Sequence, residues 1–292
     1  MKIKKFLRIN SLVLRANLCY NKFTNKESKN GKNMYKCKLY HVIEKKAISA
    51  GVYSFTVLCG DIAALAVPGQ FVHIKVEGFT LRRPISICDI DKDEGTIRIV
   101  FEVRGCGTAK LAETRVGDSI DLLGPLGNGF ELPSQTENSS LNAILIGGGM
   151  GVAPLYGMAK LHANKAVALM GFRGYDKIIL ADDFKQTGAQ VIICTQDGSV
   201  GTKGLVTEPL NKLLESDDVG VVYACGPVPM LKAVAEICTR ANVLCRVSLE
   251  ERMACGVGAC AGCACKSVGE TGEQMVRVCK EGPVFNAREV LL

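Results

Sequence analysis

The chain has 292 residues, 48% of them hydrophobic, enough for two domains with full cores and a small appendage. Its formal charge of +7 is uneven: residues 1 to 33 hold nine of the 36 Lys and Arg and one of the 29 Asp and Glu, leaving 27 basic against 28 acidic residues elsewhere. A basic tail is not a basic groove, so nucleic-acid binding loses its support, and no stretch approaches the roughly 20 uninterrupted apolar residues of a membrane-spanning helix; the chain reads as soluble and cytoplasmic.

Residues 1–33 read as a basic, disordered extension. Met1 to Asn10 opens like a signal peptide, but Arg8, Asn10 and Arg15 break up the apolar core such a peptide needs. An acid-poor targeting peptide is the other reading. The Asn/Lys/Ser run that follows is disorder-like, which makes Met34 the expected functional start.

Residues 34–135 show short strands separated by turns. Gly51 to Cys59, Gln70 to Val76 and Gly95 to Val103 alternate apolar and polar residues, and Pro68-Gly69 and Asp93-Glu94-Gly95 punctuate them, which predicts an antiparallel barrel. Within it, Leu81-Arg-Arg-Pro-Ile-Ser-Ile87 sets a cation, a rigid proline and a hydroxyl at a strand edge, where Arg can meet a pyrophosphate. Taken alone this is a basic patch before a strand. Arg104-Gly-Cys-Gly-Thr-Ala-Lys-Leu111 then places a glycine turn at a helix start, with Thr108 as its cap and free N–H groups facing a phosphate. The loop from Leu123 to Phe130 closes the barrel.

After the polar bridge 133–140, residues 140–245 alternate strands and helices, as in a doubly wound α/β domain. The buried strand Asn142 to Ile146 meets Gly147-Gly148-Gly149-Met150-Gly151-Val152-Ala153-Pro154, and a helical stretch follows. Strand, glycine turn and helix together form a diphosphate cradle, although such turns also simply join strands to helices. Asp197 ends a later strand and reads as a loop residue near a cofactor ribose. Cys225-Gly226-Pro227 ends another, where Cys225 also fits as a small buried thiol.

The last unit, residues 246–292, carries Cys255, Cys260 and Cys263 at a C-x4-C-x2-C spacing, with Cys279 beyond. That is the ligand pattern of a plant-type [2Fe–2S] centre. Gly256, Gly258 and Gly262 are expected to take positive φ and bring N–H groups toward sulfur. Structural zinc sites show two short C-x2-C knuckles instead, and a disulfide framework suits a small secreted chain. Cys265, two residues past Cys263 in an extended loop, reads as a non-ligand.

In this order the barrel segments match the flavin domain of the ferredoxin–NADP reductase superfamily. With the C-G-V-G-A-C-A-G-C loop and Cys279-Lys-Glu-Gly-Pro, the chain from Met34 to Leu292 resembles the electron-transfer subunits of class 1B dihydroorotate dehydrogenases. The resemblance implies that Arg83, Pro84, Ile85, Ser86, Gly107 and Thr108 bind FAD and that Val100, Phe101 and Glu102 line the flavin. It puts Cys225 beside the nicotinamide of NAD and makes Cys255, Cys260, Cys263 and Cys279 the cluster ligands. Cys106 departs from the pattern, where a larger polar residue is expected.

NAD exchanges hydride and a cluster moves single electrons, so FAD belongs between them. His41, His73 and His162 occupy unrelated positions and no nucleophile and base pair stands out, so substrate oxidation is expected on a partner. By resemblance that partner is an FMN-bearing subunit oxidising dihydroorotate, in a heterotetramer of two catalytic and two relay subunits. Two alternatives are the small subunit of an NADH-dependent ferredoxin:NADP+ oxidoreductase or sulfide dehydrogenase, whose first cluster ligand tends to be Asp where Cys255 stands, and a non-catalytic redox sensor.

Overall fold

The computed structural model describes residues 35–131, 142–215, 218–269 and 272–292. The basic extension 1–33, the start at Met34 and the bridge 133–140 lie outside the described residues.

The first unit contains β1 (Lys36–Ser49), β2 (Val52–Leu58), a short α1 (Gly60–Ala63), β3 (Phe71–Lys75), β4 (Arg83–Asp91), β5 (Thr96–Glu102), α2 (Cys106–Ala112) and β6 (Ser119–Leu126). The six strands close into an antiparallel barrel in the order β1-β2-β5-β4-β3-β6. Closure follows from the pleat: alternate residues such as Phe55, Val57, Ile97 and Ile99 turn inward and are fully buried, and closing removes every exposed strand edge. Phe55 and Phe101 meet edge to face at 5.1 Å inside it.

The second unit runs β7 (Asn142–Gly148), a 3-10 turn Gly149–Leu155, α3 (Tyr156–His162), β8 (Ala166–Phe172), α4 (Ala181–Gln186), β9 (Gln190–Thr195), β10 (Thr202–Lys203), α5 (Thr207–Leu213), β11 (Val219–Cys225), α6 (Val228–Arg240) and β12 (Leu244–Ser248). Its central strands, covered on both faces, are continuous apolar runs such as Ile144-Leu145-Ile146. After β12 come the hairpin β13 (Ala264–Gly269) and β14 (Gly272–Arg277), then β15 (Val284–Asn286). The large sheet has the order β10-β9-β8-β7-β11-β12-β15, parallel except for β15, which pairs antiparallel with β12. Thus a strand that follows the last cysteine of the cluster motif completes the sheet of the second unit.

Between β7 and β11 the strand order reverses, which opens a crevice at their carboxyl ends. Among the polar links that join barrel and sheet are Arg98 with Asp183, Lys160 with Asp89 at 2.8 Å, Arg246 with Glu131, and Ser49 Oγ donating to the Asp176 carbonyl at 2.9 Å. The cysteine-rich segment is tied to the barrel by Asn128, whose backbone N–H donates to Gly282 at 2.6 Å and whose side-chain amide donates to the Glu281 carbonyl at 3.0 Å. A single apolar cluster runs from Phe71 and Leu126 of the barrel through the sheet to Cys263 and Cys279.

Candidate functional site

A cavity of about 240 Å³ opens where the three units meet. From the barrel, Arg83, Pro84, Ile85 and Ser86 of β4 and Val100, Phe101 and Glu102 of β5 line it, with Thr108 of α2. Met150, Ala153 and Pro154 approach from the turn after β7, and Ser248 to Glu251 and Met253 from the segment after β12. In sequence that last segment is only the lead-in to the cysteines. Its signal was present in Glu250 and Glu251, charged residues directly after a buried strand.

Gly107 stands below Arg83, and a β-carbon there would lie 2.2 Å from Arg83 Nη2. The guanidinium also stacks 4.9 Å above the Phe79 ring, and its Nη1 donates to the Leu81 carbonyl, which fixes the plane in which the rest of the fork can meet an anion. Thr108 does not cap α2 as expected. The cap position is the extended Gly105, and Thr108 reaches back from the third position to accept from the N–H groups of Gly105 at 3.2 Å and Arg104 at 2.9 Å. Those two donors are therefore spent inside the turn rather than on a phosphate.

In the crevice, the glycine run and the Cys225 turn touch backbone to backbone. A β-carbon on Gly151 would fall 2.2 Å from the Cys225 carbonyl oxygen, and one on Gly226 would fall 3.0 Å from Gly148 Cα. Gly148 faces Pro227 and Met230 just as closely. Only Gly149 of the run has positive φ, +56°. The helix expected after the turn starts at Tyr156, and the turn itself is a 3-10 segment, Gly149–Leu155, in which Pro154 supplies no N–H to an α-helical ladder. Cys225 is buried, and burial, reinforced by the charge of Glu250, pushes its thiol pKa up, so it stays protonated. Asp197 accepts from the Ser199 N–H and hydroxyl, which hold its carboxyl below the usual range. It ends β9, three strands from β11, or about 14 Å away at ~4.8 Å per strand.

The four cysteines converge after β12. Five backbone N–H groups point at their sulfurs: Gly258 to Cys279 at 3.1 Å, Ala259 and Val257 to Cys255 at 3.2 and 3.5 Å, Gly262 to Cys260 at 3.4 Å, and Cys279 to Cys263 at 3.4 Å. Gly256 and Gly258 have φ of +69° and +79°. The third left-handed residue is Ala261 at +52° and not Gly262, which instead packs against Cys260 Sγ. Hydrogen bonds from neighbouring thiols and N–H groups hold Cys255 down and Cys263 at about 7, while Cys260 and Cys279 are pushed up by the same neighbours. Four crowded sulfurs supplied with N–H donors fit a group that takes them all as thiolates. Among the described residues no three acidic, histidine or cysteine side chains converge on a single-ion site; a two-iron cluster asks for two pairs of thiolates around a larger body. Cys265 lies on β13 opposite Val276, packed against the apolar cluster.

His73 sits fully buried on β3 with neither ring nitrogen hydrogen-bonded. Burial and the nearby Arg82 guanidinium lower its pKa to about 4.

A family model described as the iron-sulfur cluster binding domain of dihydroorotate dehydrogenase B matches residues 250–291, and one for an oxidoreductase NAD-binding domain matches residues 145–236. The "Dihydroorotate dehydrogenase B (NAD(+)), electron transfer subunit" of Caldanaerobacter subterraneus is 45% identical over 226 residues, covering 77% of this chain and 87% of that protein. The protein of the same description from Geobacillus kaustophilus is 43% identical over 259 residues, 86% of this chain and 97% of its own. Among solved structures, a chain of an NADH-dependent reduced ferredoxin-NADP oxidoreductase superposes with a TM-score of 0.77 at 32% identity, covering 87% of this chain and 90% of its own.

Proposed function

The chain belongs to the family of dihydroorotate dehydrogenase B electron-transfer subunits, and from that premise we infer that it carries electrons from the FMN of a dihydroorotate-oxidising partner to NAD+ in pyrimidine biosynthesis. It is an oxidoreductase subunit that works with FAD, a [2Fe–2S] cluster and NAD beside a catalytic partner subunit. Two copies of each subunit, with the partner bearing FMN, complete the reading, as does a division into flavin, nicotinamide and cluster units at the boundaries expected from the sequence.

The observation that carries this reading is a juxtaposition. One cavity is lined by Arg83–Ser86 of β4, by Pro154 of the turn beside Cys225, and by the segment that leads directly into Cys255. Flavin, when bound, exchanges electron pairs with nicotinamide and single electrons with an iron–sulfur centre. The chain's own residues supply the rest. Arg83, held by Phe79 and Gly107, binds the pyrophosphate in a bidentate fork, and Ser86 offers its hydroxyl to the flavin ring. The Gly147–Gly151 and Cys225–Pro227 turns hold the dinucleotide, with the protonated Cys225 giving a small uncharged wall at the nicotinamide. The five N–H groups around Cys255, Cys260, Cys263 and Cys279 stabilise thiolate charge at the cluster. Among the described residues no helix is long and apolar enough to cross a membrane. The thirteen described cysteines are free thiols, which suits a reducing compartment, and cytoplasmic placement is part of the proposal.

The ferredoxin-linked alternative shares the fold at 32% identity, below the 45% of the dihydroorotate relative. The experiment is anaerobic: the chain, loaded with FAD and cluster and combined with its FMN-bearing partner, should reduce NAD+ at the expense of dihydroorotate. NADH-dependent bleaching of the flavin without any response to dihydroorotate would move the chain to the ferredoxin-linked class. No bleaching at all would leave the sensor reading.

A further inference from the structure

His73 is a buried histidine that the flavin and nicotinamide sites do not use. On β3 its backbone pairs with Pro84 of β4 on one side and with Leu123 of β6 on the other, so it lies directly behind the strand that lines the cavity. Leaving a buried polar group unpaired is destabilising, and a phenylalanine would fill comparable space without that loss. The carbonyls of Cys255 and Arg82 are near the ring, but neither is met at hydrogen-bonding geometry. What the ring does touch is the cysteine loop. A β-carbon on Gly256 would lie 2.5 Å from His73 Nδ1, and Gly256 takes φ of +69°, so the loop bends around the imidazole at the residue after Cys255. An imidazole in either tautomer carries a ring N–H to donate, and here it has no partner among the described residues.

We propose that His73 is a positioning residue of the cluster: its ring N–H donates to a sulfur of the iron–sulfur group, braces the Cys255–Gly258 turn against the flavin strand, and favours the reduced cluster. The physical reason is that an N–H donor stabilises the negative charge the centre gains with one electron. This rests on the iron–sulfur reading of the four cysteines.

The test uses the full chain, purified anaerobically with its cluster and labelled with ¹⁵N at histidine alone. His41 is exposed on β1 and His162 belongs to α3 of the other unit, so a histidine-nitrogen coupling in the pulsed EPR of the reduced centre reports His73. The expected result is a label-dependent coupling that vanishes in His73→Phe. In that variant the ratio of reduced to oxidised cluster at a fixed poise should fall about five- to tenfold, the size of one hydrogen bond, and His73→Asn should regain most of it. A chain without any iron–sulfur signal would sink the cluster reading itself. A normal reduced-cluster signal lacking histidine coupling would overturn the role of His73 alone, and so would an unchanged ratio in His73→Phe. Should the Phe variant fail to load its cluster, the labelled wild-type chain still decides.

Discussion

Arg83 leans over the first turn of α2 so closely that a β-carbon on Gly107 would lie 2.2 Å from its Nη2. The two residues are 24 positions apart in sequence and come together because β4 and the β5–α2 connection are neighbours in the barrel. The atom that must give way is the end of a flexible side chain, so a methyl group there displaces the guanidinium rather than the backbone. Gly107→Ala should therefore leave the thermal midpoint of the flavin-free chain nearly unchanged. It should also weaken FAD retention about tenfold or more, since a hydrogen bond to a charged group is worth ~1.5–3 kcal/mol. Titration of apo-protein with FAD, followed by flavin fluorescence, measures this. Equal affinities would remove Arg83 from the pyrophosphate.

Gly151 meets Cys225 differently, because here backbone faces backbone. A β-carbon would come within 2.2 Å of the Cys225 carbonyl oxygen and 2.8 Å of Gly226 Cα, and neither can rotate away. Gly151→Ala should force the two turns apart and destabilise the α/β unit by about 1–3 kcal/mol, the usual cost of overpacking. NADH should no longer bleach the flavin, while the visible absorption of the iron–sulfur centre persists. Retained NADH reduction at the wild-type rate would place the nicotinamide elsewhere.

How much of this was legible in the sequence depended on whether the chemistry is local. The strands β2, β3 and β5 alternate regularly and could be read, but β1 could not be delimited, because register shifts at Val42/Glu44 and Ala47/Ser49 break its period of two. The cysteine spacing announced the cluster motif, yet the left-handed residue at its third turn is Ala261 and not a glycine, a backbone choice that residue type alone does not reveal. Thr108 was visible as a hydroxyl near a helix start but not as a back-bonding third residue. Least legible were contacts between distant segments: Glu250 and Met253 in the cavity, β15 on the sheet, and His73 against Gly256, none of which leaves a periodic trace.

Cys260 and Cys265 give a direct contrast inside one loop. Cys260 Sγ accepts from the Gly262 N–H and lies beside the Cys255 thiol, whereas Cys265 sits on β13 among apolar neighbours. Cys260→Ser should yield a chain with little or no cluster absorption and EPR signal after reconstitution. Cys265→Ser should retain at least most of the iron and sulfide per chain. The opposite pattern would make Cys265 the ligand.

Arg98 and Asp183 link β5 to α4 across the boundary between barrel and sheet, with side chains 20% and 32% exposed. Tyr156 stacks with the same guanidinium, its centroid 6.0 Å from Arg98 Cζ. Removing the carboxylate strands a half-buried cation, so Asp183→Ala should cost about 1–3 kcal/mol. Because the pair spans two units, the loss should appear as a broadened or split calorimetric transition, with NADH affinity reduced. Charge reversal of both residues should restore a single transition; failure of the swap together with an unsplit single mutant would show that the pair does not couple the units.

Asp61 sets the acid limb of barrel stability. Its carboxylate accepts from Lys38 Nζ at 2.8 Å and from the Tyr40 hydroxyl at 2.9 Å. Burial opposes the ionised form, but the bonds from Lys38 and Tyr40 outweigh it, and the pKa lies below the ordinary carboxylate value. A carboxyl group that ionises more readily when folded stabilises the fold fully above its unfolded pKa of about 3.9, and that contribution disappears as pH falls through the lower folded value. Lys38 is 63% exposed, so solvent screening holds the contribution to about 0.5–1 kcal/mol. Asp61→Asn should lose this amount at pH 7, and wild type and variant should converge as urea unfolding is repeated in steps down to pH 3. A difference that stays constant through the acid range would mean that Asp61 acts through packing alone.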